Sequence, residues 1–533
     1  MINNPILPGF NPDPSICRVG DDYYIATSTF EWYPGVQIHH SKDLKNWQLV
    51  ARPLNRADLL DMTGVPDSCG VWAPCLSYSD DKFWLCFTNV QRFDGNFKDT
   101  PNFLTTCATI DGEWSSPTYM NSSGFDPSLF HDEDGLKWFL NMVWDHRPDR
   151  TFFGGIMMQE YCPKNDKLIG PRKNIFQGTP SDGTEAPHLY KKNGYYYLMT
   201  AEGGTGYAHA VTVARSKDIW GPYEVDPEGH PLTAADKPAK GLQRCGHASL
   251  VETQEGDFYL PHLCSRPLEG LKRSPLGRET AIQKFTYTED GWFRMASGGN
   301  GPEDQVVMPD LPEFPVPAEM TYDDFSNSTL NPVYQWLRTP YPERFYSLTE
   351  RAGYLRLKGN QSIGSTFMQA LIARRQVDLA YSATTAVEFE PNDFQQMAGL
   401  ICYYNSQQFH YLYISHDEEI GRYLSVMSCE GEASMALSFP TDFEKIQLPP
   451  SGSVTLKVDV NHAEMHFSWS LDQRTWSSLG VTLDASLLSD EAGRGDGANF
   501  TGTFVGLCCQ DLTGDNTPAD FSFFEYRGHD EDQ

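Results

Sequence analysis

The sequence lacks long hydrophobic stretches. It has no run of about 18 apolar residues, and this absence excludes a membrane-spanning helix. The opening residues, MINNPILPGFNPDPS, contain no basic patch followed by an apolar stretch. We therefore expect no secretory signal.

Basic residues are scarce relative to acidic ones. The chain of 533 residues has 41 Lys and Arg against 71 Asp and Glu, which gives a net charge of −30. Such a surface repels phosphate backbones and anionic lipids, so neither nucleic acid nor a membrane is expected as a partner. A neutral substrate suits this charge better.

Cysteine motifs are also absent. The twelve cysteines are scattered without a CxxC spacing, and only Cys508 and Cys509 are adjacent. This pattern disfavours both a cysteine metal site and a dense disulfide framework. We expect buried, reduced thiols and a cytoplasmic location.

Long amphipathic helical periodicity is hard to find, whereas aromatic residues make up 13% of the chain and Gly (44) and Pro (36) mark many turns. A turn followed by an aromatic strand recurs five times. These units are GDDYYIATST (20–29), SDDKFWLCFT (79–88), DEDGLKWFLNMV (132–143), KKNGYYYLMTA (191–201) and QEGDFYLPHL (254–263). Turn residues flanked by aromatic and β-branched residues predict hairpins, so the fold class is all-β.

A short polar segment precedes each hairpin. Its key residues lie 54 to 62 residues apart and are Asp13, Trp72, Asp126, Glu185 and His247. This period predicts a five-bladed β-propeller over residues 1–308, with these segments as the innermost strands. Side chains far apart in sequence would then meet near the axis.

The sequence pattern changes after residue 308. Four prolines between 309 and 320 predict an extended, semi-rigid linker. Alternating strands then follow, such as FHYLYISHD and VTLKVDVNHAEMHFSWSLD. They predict a β-sandwich over residues 321–533.

Three carboxylates occupy matching positions in the repeat: Asp13, Asp126 and Glu185, each beside a proline or an Ala-Pro pair. Carboxyl groups on inner strands are partly desolvated, and burial and neighbouring negative charge both raise their pKa values. Carboxyls whose pKa values are driven apart can supply one acid and one base at the same pH. Glycoside hydrolysis requires such a pair.

The sequence around these motifs, NPILPGFNPDPSICRVGDDYYIATSTFEWYPG, SGFDPSLFHDEDG, GTEAPHLYKKNGYYYLMTAEGGTGYAHAVTVARS and LGRETAIQK, resembles glycoside hydrolase family 43, in particular its two-domain β-xylosidases. The resemblance implies a five-bladed propeller, a C-terminal concanavalin-like β-sandwich, and hydrolysis with inversion. It also implies β-1,4-xylo-oligosaccharides as substrates, cleaved exo from the non-reducing end to xylose. Many members also cleave α-L-arabinofuranosides.

By the same resemblance, Asp13 is the general base that activates water, and Glu185 is the general acid. Asp126 orients the acid and keeps its pKa high. Arg278 matches a sugar-hydroxyl ligand, and Thr205 is a candidate for a further hydrogen bond, with a plain turn residue as the alternative.

Aromatic side chains are candidates for the walls of the sugar pocket. The predicted substrate-binding residues are Phe30, Trp72, the adjacent Ala73, Phe125, Trp144, Thr205, His247, Arg278 and Phe500. For the aromatic members, a place in the propeller or sandwich core is the alternative. Phe500 is the candidate for a sandwich loop that closes the pocket, which would make the enzyme exo-acting.

His247 has two possible roles by resemblance. It is expected to hydrogen-bond at the floor of the site, and in some family members a histidine here helps to hold Ca²⁺ in the channel. Calcium prefers oxygen ligands, so a single histidine is weak evidence for it. We expect no metal ligand and no required cofactor, with Ca²⁺ in the propeller channel as the alternative.

Three functions remain open at this point. The first is a β-1,4-xylosidase, the second an α-L-arabinofuranosidase or an enzyme with both activities, and the third a non-catalytic carbohydrate-binding propeller. The resemblance also implies a homo-oligomer, either a dimer or a tetramer.

Overall fold

The computed structural model describes residues 1–235, 241–431, 437–495 and 497–529. Within these ranges the chain is built almost entirely of strands, with only two short 3₁₀ helices at Pro342–Arg344 and Ala485–Leu487. The all-β prediction is confirmed. None of the helices in these ranges is long and apolar enough to cross a membrane.

The chain divides into two compact units. Unit 1 comprises Met1–Met62, Cys69–Arg266 and Arg278–Pro317. Unit 2 comprises Thr63–Ser68, Pro267–Gly277 and Ala318–Gln533.

The strands of unit 1 follow one another in five groups. The first group is β1 (Ile2–Asn3), β2 (Ser15–Val19), β3 (Asp22–Thr27), β4 (Trp32–Tyr33), β5 (Gln37–Ser41) and β6 (Gln48–Ala51). The second is β7 (Gly70–Val71), β8 (Cys75–Ser79), β9 (Lys82–Val90), β10 (Asn102–Cys107) and β11 (Thr118–Asn121). The third is β12 (Ser128–His131), β13 (Lys137–Trp144), β14 (Phe153–Cys162) and β15 (Lys167–Phe176). The fourth is β16 (Glu185–Lys192), β17 (Tyr195–Glu202), β18 (Ala210–Ser216), β19 (Glu224–Val225) and β20 (Leu232–Thr233). The fifth is β21 (Gln243–Ala248), β22 (Val251–Glu252), β23 (Phe258–Ser265), β24 (Glu279–Tyr287), β25 (Phe293–Met295) and β26 (Gln305–Val306).

These groups form five antiparallel sheets arranged as blades. Their main strand orders are β2-β3-β5-β6, β7-β9-β10-β11, β12-β13-β14-β15, β16-β17-β18-β19 and β21-β23-β24-β25. The strands that pair with the second strands of their blades touch in a ring. Here β2 contacts β8, β8 contacts β12, β12 contacts β16, β16 contacts β21, and β22 contacts β2. This arrangement confirms the five-bladed propeller.

The five predicted hairpins supply the second strands of the blades: β3, β9, β13, β17 and β23. Their aromatic residues fill the spaces between neighbouring blades. Tyr197 on β17, for example, packs edge-on against Phe293 on β25, with ring centroids 5.0 Å apart. Burial of such rings drives the blades together.

The amino-terminal segment closes the ring onto the fifth blade. Ile2 pairs with Val306, and Leu7 exchanges backbone hydrogen bonds with Thr280. The Asn11 N–H then donates to the Arg278 carbonyl at 3.0 Å. The segment that carries Asp13 is therefore fixed by residues from the other end of unit 1.

Unit 2 contains the remaining strands. They are β27 (Tyr322–Asp323), β28 (Trp336–Leu337), β29 (Tyr346–Ser347), β30 (Leu355–Lys358), β31 (Ala370–Arg375), β32 (Ala380–Glu388), β33 (Gln396–Asn405), β34 (Gln408–Asp417), β35 (Gly421–Glu430), β36 (Leu437–Ser438), β37 (Ile446–Gln447), β38 (Ser453–Asn461), β39 (Glu464–Ser470), β40 (Ser477–Ser478), β41 (Leu483–Asp484), β42 (Phe504–Asp511) and β43 (Pro518–Gly528). One sheet runs β29-β30-β43-β32-β38-β39-β40 and the other runs β31-β42-β33-β34-β35-β36. Two antiparallel sheets with a shared apolar core form the predicted sandwich.

The structure divides the chain differently from the predicted boundaries. The predicted propeller range, residues 1–308, includes residues 63–68 and 267–277, which belong to unit 2. The cause is long-range pairing, since Asp67 forms a 2.6 Å ion pair with Arg338 and the Ser274 N–H donates to Glu491.

The predicted linker, residues 309–320, contains no strand. Its first part packs onto unit 1, where Met308 and Leu311 adjoin the apolar cluster around Ile2, and the Phe314 N–H donates to Asp43 at 2.7 Å. The segment up to Pro317 is therefore counted with unit 1.

Candidate active site

Asp13 lies just before β2 with a left-handed backbone, φ 58°. Its side chain is buried, and the Ser28 hydroxyl donates to Oδ2 at 2.6 Å. Oδ1 receives Arg278 Nη1 at 3.2 Å and lies 3.2 Å from His247 Nδ1. The carboxylate is thus held from three sides.

These neighbours determine the charge of Asp13. Burial by itself would raise its pKa, but the positive charge of Arg278, followed by that of His247, outweighs burial and holds the pKa of Asp13 well below its usual range. Asp13 is therefore an ionised carboxylate at neutral pH. An ionised carboxylate can accept a proton.

Asp126 also has a left-handed backbone, φ 55°, and precedes β12. Its Oδ2 accepts the Ala186 N–H at 3.0 Å. Ala186 itself has φ 53° and sits in an irregular stretch of β16 between Glu185 and His188. Asp126 thus fixes the backbone immediately after Glu185.

Asp126 and Glu185 both have raised pKa values. Burial is the largest cause for each. The negative charge of Asp126 raises the pKa of Glu185 further, against the opposing charges of His247 and Arg278. Glu185 is only half-buried, so it can hold a proton and still reach a ligand.

His247 lies on β21 of the fifth blade and is 6% exposed. Burial would lower its pKa, but the charge of Asp13 and its hydrogen bond, followed by the charges of Asp126 and Glu185, raise it above the ordinary value. His247 therefore adds positive charge to a hub that holds three carboxyl groups.

Aromatic rings form one side of this hub. Trp72 is central, with ring centroids 5.0 Å from Phe125, 5.9 Å from Phe30 and 6.0 Å from Phe93. The Arg278 guanidinium carbon lies 5.2 Å from the Phe30 centroid. The rings and the carboxylates therefore share one neighbourhood.

Ala73 follows Trp72 in the chain and is buried. Trp144 belongs to a second, more exposed aromatic group, where it stacks on Phe152 at 4.8 Å and lies under Lys98 Nζ at 4.2 Å. Its indole N–H donates to the Asn96 carbonyl at 2.8 Å. Lys98 Nζ also lies 5.4 Å from the Phe93 centroid, so it connects Trp144 to the ring group around Trp72.

Thr205 is half-buried in a loop of the fourth blade, and its carbonyl accepts Arg244 Nε at 2.9 Å. Phe500 is a half-buried residue of unit 2 whose N–H donates to Ser68 Oγ at 3.2 Å. For both side chains, a role toward a sugar stays a prediction.

Sequence reasoning missed two polar residues near the carboxylates. Ser28 could have been found by extending the first hairpin, because the pairing of Ser15 with Ala26 continues to place Ser28 opposite Asp13. Lys98 had no motif. Burial lowers its pKa, and the charge of Glu185 opposes this, so the ammonium lies within electrostatic reach of Glu185.

Family models match both parts of the chain. Residues 2–293 match "Glycosyl hydrolases family 43", and residues 322–527 match "Beta xylosidase C-terminal Concanavalin A-like domain". The chain belongs to glycosyl hydrolase family 43. Asp13, Asp126, Glu185, His247 and Arg278 all lie inside the matched family 43 range.

Family 43 relatives are similar over the full length. The chain is 52% identical to the beta-xylosidase of Bacillus subtilis (strain 168), over 99% of both chains. It is 51% identical to Xylosidase/arabinosidase 43B of Humicola insolens, over 99% of this chain and 98% of that protein. The crystal structure of xylan beta-1,4-xylosidase from Bacillus halodurans C-125 superposes with a TM-score of 0.96 at 50% identity, over 99% of this chain and 100% of that one.

Proposed function

We propose that this protein is an exo-acting β-1,4-xylosidase that releases xylose from the non-reducing end of xylo-oligosaccharides, with inversion of the anomeric configuration. One observation carries the proposal. In a family 43 chain, Arg278 and His247 lie 3.2 Å from Asp13 and Asp126 binds the residue after Glu185, so that Asp13 is kept ionised and the pKa of Glu185 is raised. This is the pair of protonation states that glycoside hydrolysis needs.

In the proposed reaction, Asp13 accepts a proton from a water molecule as the water oxygen bonds to the anomeric carbon. The bond between that carbon and the glycosidic oxygen breaks on the opposite face. Glu185 gives its proton to the departing oxygen, which leaves as a sugar hydroxyl. Asp13 ends protonated and Glu185 ionised, and exchange with solvent restores both.

Asp126 supports the acid in two ways. Its bond to the Ala186 N–H holds the strand start that carries Glu185, and its negative charge favours the protonated form of Glu185. The positive charges of Arg278 and His247 lower the pKa of Asp13 and so keep the general base ionised.

The sugar ring is proposed to pack against Trp72, Phe30 and Phe125, whose apolar faces suit the C–H face of a pyranose. Xylose is uncharged, which suits a chain of net charge −30. We also propose that the site accepts chain ends only. Comparable rates on xylan polymer and on xylobiose would contradict that.

Asp13 is a poor candidate for a calcium ligand in the described structure. Ca²⁺ takes about six to eight oxygen ligands, whereas the Asp13 oxygens are occupied by Ser28, Arg278 and His247. No group of three or more His, Cys, Asp and Glu suited to a metal is found in the described ranges. No step of the proposed reaction is routed through a metal.

The deciding experiment is proton NMR of the anomer first released from xylobiose. We expect α-xylose from the cleaved β-linkage, and β-xylose would contradict inversion. Glu185→Gln should lower kcat roughly 10²- to 10⁴-fold, as expected for loss of a general acid. Glu160→Gln on β14 is the matched control and should leave kcat unchanged.

α-L-Arabinofuranosidase activity, alone or alongside xylosidase activity, is the second candidate, favoured by the dual name of the Humicola relative. The ratio of kcat/KM on 4-nitrophenyl β-D-xylopyranoside and α-L-arabinofuranoside separates these options. A non-catalytic sugar-binding propeller would turn over neither substrate.

A homo-oligomer, dimer or tetramer, and a cytoplasmic location also belong to this proposal. Light scattering coupled to size exclusion measures the first, and fractionation of the native host measures the second.

A further inference from the structure

Glu202 is a second buried carboxylate in the fourth blade, and the reaction above gives it no role. It ends β17 and is 0% exposed. Its Oε1 accepts the Thr179 N–H at 2.9 Å and the Thr184 hydroxyl at 2.7 Å. Its Oε2 accepts the hydroxyls of Thr179 at 2.5 Å and Thr212 at 2.7 Å.

These partners come from two places. Thr179 and Thr184 belong to the loop that leads into β16, and Thr212 lies on β18. Among the described residues, no basic side chain forms an ion pair with Glu202, and the donors to its carboxyl oxygens are neutral threonine groups. Burial of a carboxyl group costs free energy unless both of its oxygens take part in hydrogen bonds.

A backbone hydrogen bond also connects the same loop to the residue that follows β17. The Gly203 N–H donates to the Asp182 carbonyl at 2.9 Å. Gly178 lets the loop close tightly, because a Cβ there would lie 2.4 Å from Thr184 Oγ1. The loop from 178 to 184 is thus wrapped around the Glu202 carboxylate.

Glu185 follows this loop directly. The residue before it, Thr184, is bound by Glu202, and the residue after it, Ala186, is bound by Asp126. Two buried carboxylates therefore hold the residues on either side of Glu185, Thr184 by its hydroxyl and Ala186 by its N–H. Of these two carboxylates, the reaction proposed above gives a role to Asp126 only.

We infer that Glu202 is a positioning residue for Glu185: it holds the loop through Thr179 and Thr184 so that the acid points at the glycosidic oxygen. This inference rests on the proposed function. It deepens that function by naming a residue that acts on the acid without touching the sugar.

The test separates positioning of the acid from general support of the fold. An aglycone that leaves without a proton, such as 2,4-dinitrophenolate, does not need the acid, whereas cleavage of xylobiose does. Loss of acid positioning must therefore slow xylobiose cleavage much more than cleavage of 2,4-dinitrophenyl β-D-xylopyranoside.

Two variants remove the contact by different means. In Glu202→Gln, the amide has one acceptor oxygen where the carboxylate has two. The amide nitrogen cannot accept from the donors that faced the second oxygen, so half of the hydrogen bonds are lost. Thr184→Val removes only the hydroxyl next to Glu185 and keeps the side-chain shape. Thr200→Val is the matched control, because the Thr200 hydroxyl on β17 is buried without a hydrogen-bond partner in the described structure.

We expect Glu202→Gln and Thr184→Val to lower kcat on xylobiose on the order of 10- to 100-fold, the usual effect of a small misplacement. KM should change little, and the rate on the dinitrophenyl substrate should stay within about threefold. Thr200→Val should act on both substrates equally and weakly. Melting temperatures, measured alongside, show that each variant is folded.

Two results would overturn the inference. One is Thr184→Val with an unchanged rate on xylobiose, and the other is an equal loss on both substrates in Glu202→Gln and Thr184→Val. Wild-type protein in the same assay distinguishes the two proposals. If it fails to cleave xylobiose, the proposed function falls and the inference falls with it, whereas an active wild type with unaffected variants overturns the inference alone.

Discussion

Asp13 and Glu185 are carboxyl groups in the same hub, yet their neighbours shift their pKa values in opposite directions. Asp13 has the Arg278 guanidinium and a serine hydroxyl against it, while Glu185 feels the negative charge of Asp126. At the scale of single residues, catalytic roles are therefore set by adjacent charges and donors.

The charge of Asp126 leads to a prediction about pH. Asp126→Asn keeps an oxygen for the Ala186 N–H but removes a negative charge that raises the pKa of Glu185. Glu185 must be protonated to act, so the basic limb of kcat/KM should move to lower pH, by about one unit. Profiles on xylobiose measure this, with Asp132→Asn as control. A limb that stays in place or moves upward would contradict the charge effect.

The Ser28 hydroxyl gives a second prediction. Ser28→Ala removes the 2.6 Å hydrogen bond to Asp13, which both orients the carboxylate and favours its ionised form. We expect kcat to fall about tenfold and the acid limb to move to higher pH. The control is Thr27→Val, because the neighbouring Thr27 hydroxyl is buried without a hydrogen-bond partner in the described structure. Equal effects of the two variants would refute a specific role for Ser28.

At the scale of elements, the sequence predicted the hairpins well and the irregular segments beside them poorly. Turn residues and aromatic strands are local signals, so the second strand of every blade was found. The left-handed backbones of Asp13, Asp126 and Ala186 were not foreseen, because tertiary hydrogen bonds from other blades hold them. The surroundings of Trp144 likewise depend on Phe152 and Lys98, which no motif marked.

A substitution at Gly124 tests how much displacement of the segment before β12 the activity tolerates. A Cβ on this residue would lie 2.0 Å from the Met142 carbonyl oxygen, so Gly124→Ala must displace the segment that carries Asp126. We expect kcat to fall by about 10- to 100-fold, with a melting temperature several degrees lower. Gly364→Ala, where the nearest atom is 3.8 Å away, should change neither quantity. Unchanged kcat in Gly124→Ala would show that this segment tolerates displacement.

At the scale of the whole molecule, the five-fold repeat was sufficient to predict the propeller, and strand alternation to predict the sandwich. The membership of residues 63–68 and 267–277 in unit 2 was beyond sequence reasoning. It depends on pairs such as Asp67 with Arg338, whose members lie hundreds of residues apart and have no shared pattern.

The net charge of −30 predicts a salt effect on stability. Like charges repel across the folded surface, and salt screens that repulsion. The melting temperature at neutral pH should therefore rise by a few degrees between about 10 and 150 mM NaCl and then level off. KCl should act equally. A melting temperature that falls over this range would mean that attractive ion pairs dominate instead.

The closure of unit 1 by its first residues has a consequence for biosynthesis. Ile2 and Leu7 find their partners only at Val306 and Thr280, so nearly the whole propeller must leave the ribosome before Asp13 acquires its final surroundings. Pairing over such a sequence distance is slow relative to local hairpin formation. The fourth blade, which carries Glu185, can therefore form before Asp13 acquires its final surroundings, and hydrolytic competence arises in the last stage of folding.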